Sequence, residues 1–192
     1  MKIFISGGCK NGKSYYAQHL AKNQQNLNKN NKNLYYIATM RPVDGEDNER
    51  IERHVKDRGG WGFETVEQPD DINKILEKCD INGSFLLDSL TALLANEMFL
   101  KNGGINRGAA DKIAAELNEL LNVVENIVVV SDYIYSDAEL YDDLTEEYRK
   151  SLAQIDRIAA KNCDIVLECA YANMTVHKGG EFQNHEIFEK IF

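Results

Sequence analysis

One stretch near the amino terminus restricts the fold more than any other. Gly7-Gly8-Cys9-Lys10-Asn11-Gly12-Lys13-Ser14 satisfies the whole of the phosphate-loop pattern G-x-x-x-x-G-K-[ST]. Before it, Lys2-Ile3-Phe4-Ile5-Ser6 is a short apolar run with branched and aromatic side chains, which reads as a buried strand. After it, Ser14 to Ala21 reads as a helix. Strand, glycine-rich turn and helix together turn successive backbone N–H groups into one hollow at the positive end of the helix dipole. In such a hollow Lys13 reaches the β- and γ-phosphates of a nucleotide, and the Ser14 hydroxyl takes one place on Mg²⁺.

Further apolar runs recur at Leu34–Thr39, Phe63–Val66, Phe85–Asp88, Ile127–Ser131 and Ile165–Cys169, with Met174–His177 as a possible last strand. Helical patterns separate most of them, at about 13–24, 47–58, 70–79, 90–101, 108–125 and 144–162. Strands alternating with helices predict an α/β fold of the P-loop NTPase kind, three layers (α/β/α) around a mainly parallel sheet. At 192 residues, with no repeat and no composition break, the chain reads as a single P-loop nucleotide-binding domain over 1–192. Asn23 to Asn33, rich in Asn, Gln and Lys, reads as a solvated loop. The apolar residues between Gly179 and Phe192 suit packing on the body or on a neighbouring subunit.

A formal charge of −9 argues against nucleic acid as the main partner, since a phosphate backbone needs a basic face. A nucleotide needs only a local positive pocket. No apolar run approaches membrane-spanning length, and the first residues read as a strand and not as a signal peptide. Cys9, Cys79, Cys163 and Cys169 show no C-x-x-C pairing, so neither zinc nor a disulfide framework is expected, and a reducing cytoplasm fits.

Two constellations carry possible chemistry. Asp88 closes the run Phe85-Leu86-Leu87 at the strand end where ligands of parallel sheets sit, so it suits Mg²⁺; capping the next helix is its plainer role, which Ser89 can also fill. On a helix over Glu49–Arg58, Arg50, His54 and Arg58 fall four apart on one face. Two guanidinium groups beside an imidazole favour its neutral, nucleophilic form and neutralise phosphate oxygens, so His54 can carry a nucleotidyl group. Read alone, that segment is more simply an exposed, charge-laced helix with a surface histidine. His19 reads as packing or surface, and His177 and His185 lack ligand spacing. Asp132, Asp137, Asp142, Asp143, Glu146 and Glu147 read most simply as a solvated loop and helix start.

These stretches in this order resemble the bifunctional adenosylcobinamide kinase/adenosylcobinamide-phosphate guanylyltransferase family of cobalamin biosynthesis. Matching segments are Ile5-Ser6-Gly7-Gly8 through Lys13-Ser14, Tyr36-Ile37-Ala38-Thr39, Arg50-Ile51-Glu52-Arg53-His54, Phe63-Glu64-Thr65-Val66-Glu67 and Leu86-Leu87-Asp88-Ser89-Leu90-Thr91. The resemblance implies that His54 attacks the α-phosphate of GTP, releases pyrophosphate and passes GMP to adenosylcobinamide phosphate, and that ATP or GTP phosphorylates adenosylcobinamide. It implies Lys13 beside His54 as catalytic, and a nucleotide site made by Gly7, Gly8, Cys9, Lys10, Asn11, Gly12, Lys13, Ser14, Ala38, Thr39, Met40, Val55, Lys56, Asp57, Arg58, Glu67 and Asp88. Ser14 and Asp88 would hold Mg²⁺, GTP or ATP would be substrates, a corrinoid would be the partner molecule, and the protein would be a cytoplasmic trimer. The second half departs from the family pattern: Ser131-Asp132-Tyr133-Ile134-Tyr135 stands for Thr-Asn-Glu-Val-Gly, and Asp156-Arg157 for Asn-Gln. The alternatives left open are a P-loop kinase or nucleotidyltransferase with another acceptor, and a GTP-binding module that lost one activity.

Overall fold

The computed structural model describes residues 1–30, 32–42, 45, 55–56, 58–182 and 185–189. Its centre is a seven-stranded sheet built from β1 (Lys2–Gly7), β2 (Leu34–Ala38), β3 (Glu64–Glu67), β4 (Ser84–Asp88), β5 (Asn126–Val130), β6 (Ile165–Ala170) and β7 (Asn173–Lys178), in the order β3-β2-β4-β5-β1-β6-β7. All pairings are parallel except β6 with β7, which form an antiparallel hairpin at one edge. The helices are α1 (Lys13–Leu27), α2 (Ile75–Lys78), α3 (Leu90–Met98), α4 (Ala109–Val123) and α5 (Asp143–Asn162).

The central strands are apolar without a break because both their faces are covered. Ile3 and Ile5 of β1, Leu86 of β4 and Val128 and Val130 of β5 pack with Ala17, Leu20 and Ala21 of α1. Phe4, Leu87 and Val129, one residue out of phase, pack on the other side against Leu90, Leu93 and Leu94 of α3, Leu117 and Leu121 of α4, and Leu152 and Ile155 of α5. The result is the expected α/β/α sandwich. Each fully buried aliphatic or aromatic side chain in these layers adds about 1.5–3 kcal/mol.

Four local expectations change. The polar run after residue 23 is not a solvated loop throughout: α1 continues to Leu27, and Gln24 and Gln25 are buried. Gln24 Nε2 donates to the Met1 carbonyl oxygen at 2.8 Å and Gln25 Nε2 to that of Lys32, so main-chain acceptors satisfy these amides inside the protein. The helix expected at 70–79 shrinks to a 3-10 turn at Ile72–Lys74 and the single turn α2, because Asp71, at φ 47°, cannot belong to a right-handed helix. The helix expected at 90–101 stops at Met98. Of the expected 47–58 helix, Val55 and Lys56 are helical while Arg58 to Gly60 form a turn; Arg50, His54 and Asp57 lie outside the described residues. Near the carboxyl terminus, Ile187 and Phe188 are buried in the core layer that α1 covers.

Candidate active site

All the strand ends that carry candidate residues face one edge of the sheet, the carboxyl edge. β1 runs directly into the phosphate loop. Gly12, at φ 89°, caps α1 in the left-handed region, where a residue without Cβ is unstrained. At Gly7 the constraint is close approach: an added Cβ would lie 2.2 Å from the Cys169 carbonyl oxygen of β6. The Cys169 Sγ donates to the Asn11 carbonyl oxygen at 2.9 Å, and the Tyr133 amide donates to that of Gly7 at 2.9 Å. Strand β6 and the segment after β5 thus hold the loop from both sides.

Lys13 is 6% exposed, and its ammonium donates to the Gly8 carbonyl oxygen at 2.7 Å and pairs with Asp132 Oδ1 at 2.8 Å. Asp132 is therefore not part of a solvated acidic loop. Its amide donates to Thr91 Oγ1 at 2.8 Å, which fixes it at the end of β5. Tyr148 of α5 donates its hydroxyl to the Thr91 carbonyl oxygen at 2.9 Å. Burial, then the carboxylates of Asp132 and Asp156, push that phenol up to about 12, so it stays a donor at any working pH.

A cleft of about 520 Å³ opens beside the loop, and Ser14, Ala38, Met40, Val55, Arg58, Glu67, Asp88 and Asp132 all contribute to its wall. Asp88 Oδ2 accepts from the Tyr36 hydroxyl at 2.8 Å, and the Arg58 guanidinium stacks over the Tyr36 ring at 3.8 Å. Arg58 also donates to Thr65 Oγ1 at 3.2 Å and is 6% exposed. It reaches the cleft from the turn that follows Lys56, not from the helix face on which the sequence spacing put it. Thr39 is fully buried behind the wall. Its hydroxyl donates to the Ser89 carbonyl oxygen at 2.8 Å and accepts from the Ser89 amide at 2.7 Å, tying the ends of β2 and β4 together. The Ser89 hydroxyl accepts from the Ala92 amide and caps α3, so Asp88 is released from capping. Cys9, Lys10 and Lys56 are exposed.

Ser14 and Asp88 offer a hydroxyl and a carboxylate on one wall, hard oxygen donors of the kind that hold Mg²⁺ together with phosphate oxygens. Among the described residues no group of three or more His, Cys, Asp or Glu side chains forms a separate metal site. His19 packs between Tyr15 and Trp61, at ring-centroid distances of 4.3 and 4.6 Å, and desolvation lowers its pKa. His177 pairs with Glu168 at 2.7 Å on the far side of β6.

A parallel sheet with a phosphate loop at the end of β1, an acid at the end of β4 and a cleft beside both defines a nucleotide-binding P-loop protein. The sequence model of the cobinamide kinase / cobinamide phosphate guanyltransferase family matches residues 3–173, and the chain belongs to that family. It is accordingly a transferase of cobalamin biosynthesis that uses nucleoside triphosphates and acts on cobinamide. A KaiC-like protein from the hyperthermophilic archaeon Pyrococcus horikoshii is similar in structure, with a TM-score of 0.49 at 14% identity, over 94% of this chain and 80% of that one. The comparison with curated proteins gives no match.

Proposed function

We propose that this chain, working as one domain, phosphorylates adenosylcobinamide and then guanylylates the product, with GMP carried in between on His54. The observation that carries the reading is the shared cleft. Ser14 of the loop, Asp88, Arg58 and Val55, the residue next in sequence to His54, all line it.

In the first half of the transfer, a neutral imidazole nitrogen attacks the α-phosphorus of GTP. The bond from that phosphorus to the oxygen bridging to the β-phosphorus breaks, and pyrophosphate leaves with the bond pair. The second ring nitrogen keeps its proton, so the phosphorylated ring is positive and leaves readily. In the second half, a phosphate oxygen of the acceptor attacks the same phosphorus and the N–P pair returns to the ring. Lys13 and the loop amides hold the phosphate chain, and Arg58 stands where it can neutralise oxygens of the phosphate under attack. Mg²⁺ held by Ser14 and Asp88 would neutralise phosphate charge and orient the leaving pyrophosphate. Tyr36 fixes Asp88 from below and carries Arg58 on its ring, so one phenol positions both groups.

The test is labelling. GTP labelled at the α-phosphate should leave acid-labile, base-stable label on the protein, absent in His54→Ala. Label at the γ-phosphate reaching cobinamide, with none retained from the α-phosphate, would leave only the kinase. A cytoplasmic location and a homo-oligomer belong to the same reading. The first is supported by free cysteines, and no helix among the described residues is long and apolar enough to cross a membrane. The second is supported by Phe99, Leu100 and Ile105, a partly exposed apolar cluster between α3 and α4.

A further inference from the structure

The phosphate loop has two flanks. On one lies the nucleotide cleft, whose wall is drawn largely from the carboxyl ends of β2, β3, β4 and β5. On the other lies the β6–β7 hairpin, because β1 runs between β5 and β6. Gly7 pairs with Cys169. The hairpin turn Tyr171-Ala172 therefore stands one strand spacing, about 5 Å, to the side of the loop and about 7 Å beyond the level of Gly7.

That turn is tied to the loop. The Tyr16 hydroxyl donates to the Ala172 carbonyl oxygen at 2.5 Å, and a Cβ added to Gly12 would lie 3.8 Å from the same tyrosine ring. The Cys169 thiol holds the Asn11 carbonyl oxygen from the strand below. Yet the turn residues do not suit its shape. Ala170 pairs with Asn173, and Tyr171 and Ala172 between them have φ of 51° and 57°. Two successive left-handed residues make the tight connection that Asn-Gly normally fills, and a bulky side chain is disfavoured there. The ring returns nothing to the fold. Tyr171 is 90% exposed and pairs with no other aromatic ring among the described residues. A local rule broken with no gain in packing marks a residue that serves something other than the fold.

We propose that Tyr171 is the base platform for the nucleoside triphosphate that gives up its γ-phosphate, its ring stacking on the purine. This role rests on the kinase half of the function proposed above. Lys13, which reaches the β- and γ-phosphates of a nucleotide in the loop, has its ammonium on the cleft side, where it pairs with Asp132. The cleft, about 520 Å³, is also where an acceptor has room to meet the terminal phosphorus. A triphosphate with its γ end in the cleft leaves the loop on the opposite flank, and its nucleoside comes to the hairpin. Guanylylation of His54 needs the reverse sense, with the α-phosphorus toward the cleft, so the contact with Tyr171 belongs to phosphoryl transfer alone. One phosphate loop then takes its triphosphate in two directions. Stacking uses the face of a base and not its hydrogen-bonding edge, so adenine and guanine both fit.

The test is calorimetric titration of the full chain with a non-hydrolysable ATP analogue and, separately, with inorganic tripolyphosphate, which fills the loop but has no base. Tyr171→Asn removes the ring and puts a residue at the turn that accepts the left-handed conformation. It should weaken the analogue by about tenfold and leave tripolyphosphate affinity where it was. Tyr171→Phe, which keeps the ring, should bind the analogue as wild type does. In transfer of γ-phosphate from ATP to adenosylcobinamide, the effect of Tyr171→Asn should fall on KM rather than kcat. Analogue affinity unchanged in Tyr171→Asn overturns the proposal. So does an equal loss of tripolyphosphate, which would make the turn a support of the loop, and so does a wild type that does not bind the analogue. Wild type that binds the analogue through Tyr171, yet passes no γ-phosphate to adenosylcobinamide, would sink the kinase reading and leave the stacking contact standing.

Discussion

Replacing Asp132 with asparagine removes one negative charge from the wall of the nucleotide cleft and keeps the side-chain shape. In the free protein Lys13 is held at 2.8 Å by this carboxylate and at 2.7 Å by the Gly8 carbonyl oxygen. A triphosphate entering the loop must share or displace the carboxylate, and it also meets a like charge. The pair is only partly solvated, with Lys13 6% and Asp132 25% exposed, so it lies at or above the upper end of the range for surface pairs, about 1 kcal/mol. Relief of carboxylate–phosphate repulsion adds to this, giving about 1–2 kcal/mol in favour of the bound state, or roughly 5–30-fold tighter binding. The Asp132 amide still donates to Thr91 Oγ1 in the variant, so the end of β5 keeps its place. The assay is calorimetry with a non-hydrolysable GTP analogue at low salt, repeated at high salt, where screening should shrink the gain. Equal or weaker affinity in Asp132→Asn would refute the argument that Asp132 competes with phosphate for Lys13.

Tyr36→Phe should lose the hydroxyl contact with Asp88 but keep the ring under Arg58. We expect about 1 kcal/mol lower stability in urea melts and a several-fold higher Mg²⁺ requirement in activity titrations. Gly7→Ala forces a Cβ to 2.2 Å from the Cys169 carbonyl oxygen. Its expected cost is about 1–3 kcal/mol, with nucleotide binding lost in calorimetry because the loop must shift. Asp156→Asn should alter the pH dependence of stability. The folded protein keeps the Asp156 proton up to about 7 whereas the unfolded chain releases it near 3.8, so wild-type stability falls as pH rises through that window. The variant has nothing to ionise there, so between pH 4 and pH 8 its stability relative to wild type should rise by on the order of 2–4 kcal/mol in urea melts.

The phosphate loop and the sheet were readable because their signals are local. A glycine that must be left-handed, a lysine and a hydroxyl sit within eight positions, and buried parallel strands announce themselves as unbroken apolar runs. Asp88 was legible for the same reason, as the polar residue that ends such a run. Asp132 was not, because its partner Lys13 lies at the far end of the sequence and only the adjacency of β5 and β1 brings them together. Gln24 and Gln25 misled because amide side chains look solvated in composition, yet main-chain acceptors supplied by Met1 and Lys32 let them be buried. Arg58 misled through periodicity: spacing of four from His54 implies a shared helix face only while the helix lasts, and it gives way to a turn at Arg58. What brings Arg58 to the cleft is the face of Tyr36, a contact that no spacing rule contains.

The claim on which most rests is that GMP is carried by the histidine at position 54. Tandem mass spectrometry of protein quenched at alkaline pH after mixing with GTP and Mg²⁺ locates the adduct directly. The account predicts a guanylyl phosphoramidate on the peptide containing His54 that disappears when adenosylcobinamide phosphate is added. An adduct on another residue, or unmodified protein under conditions in which guanylylated cobinamide still forms, would contradict it.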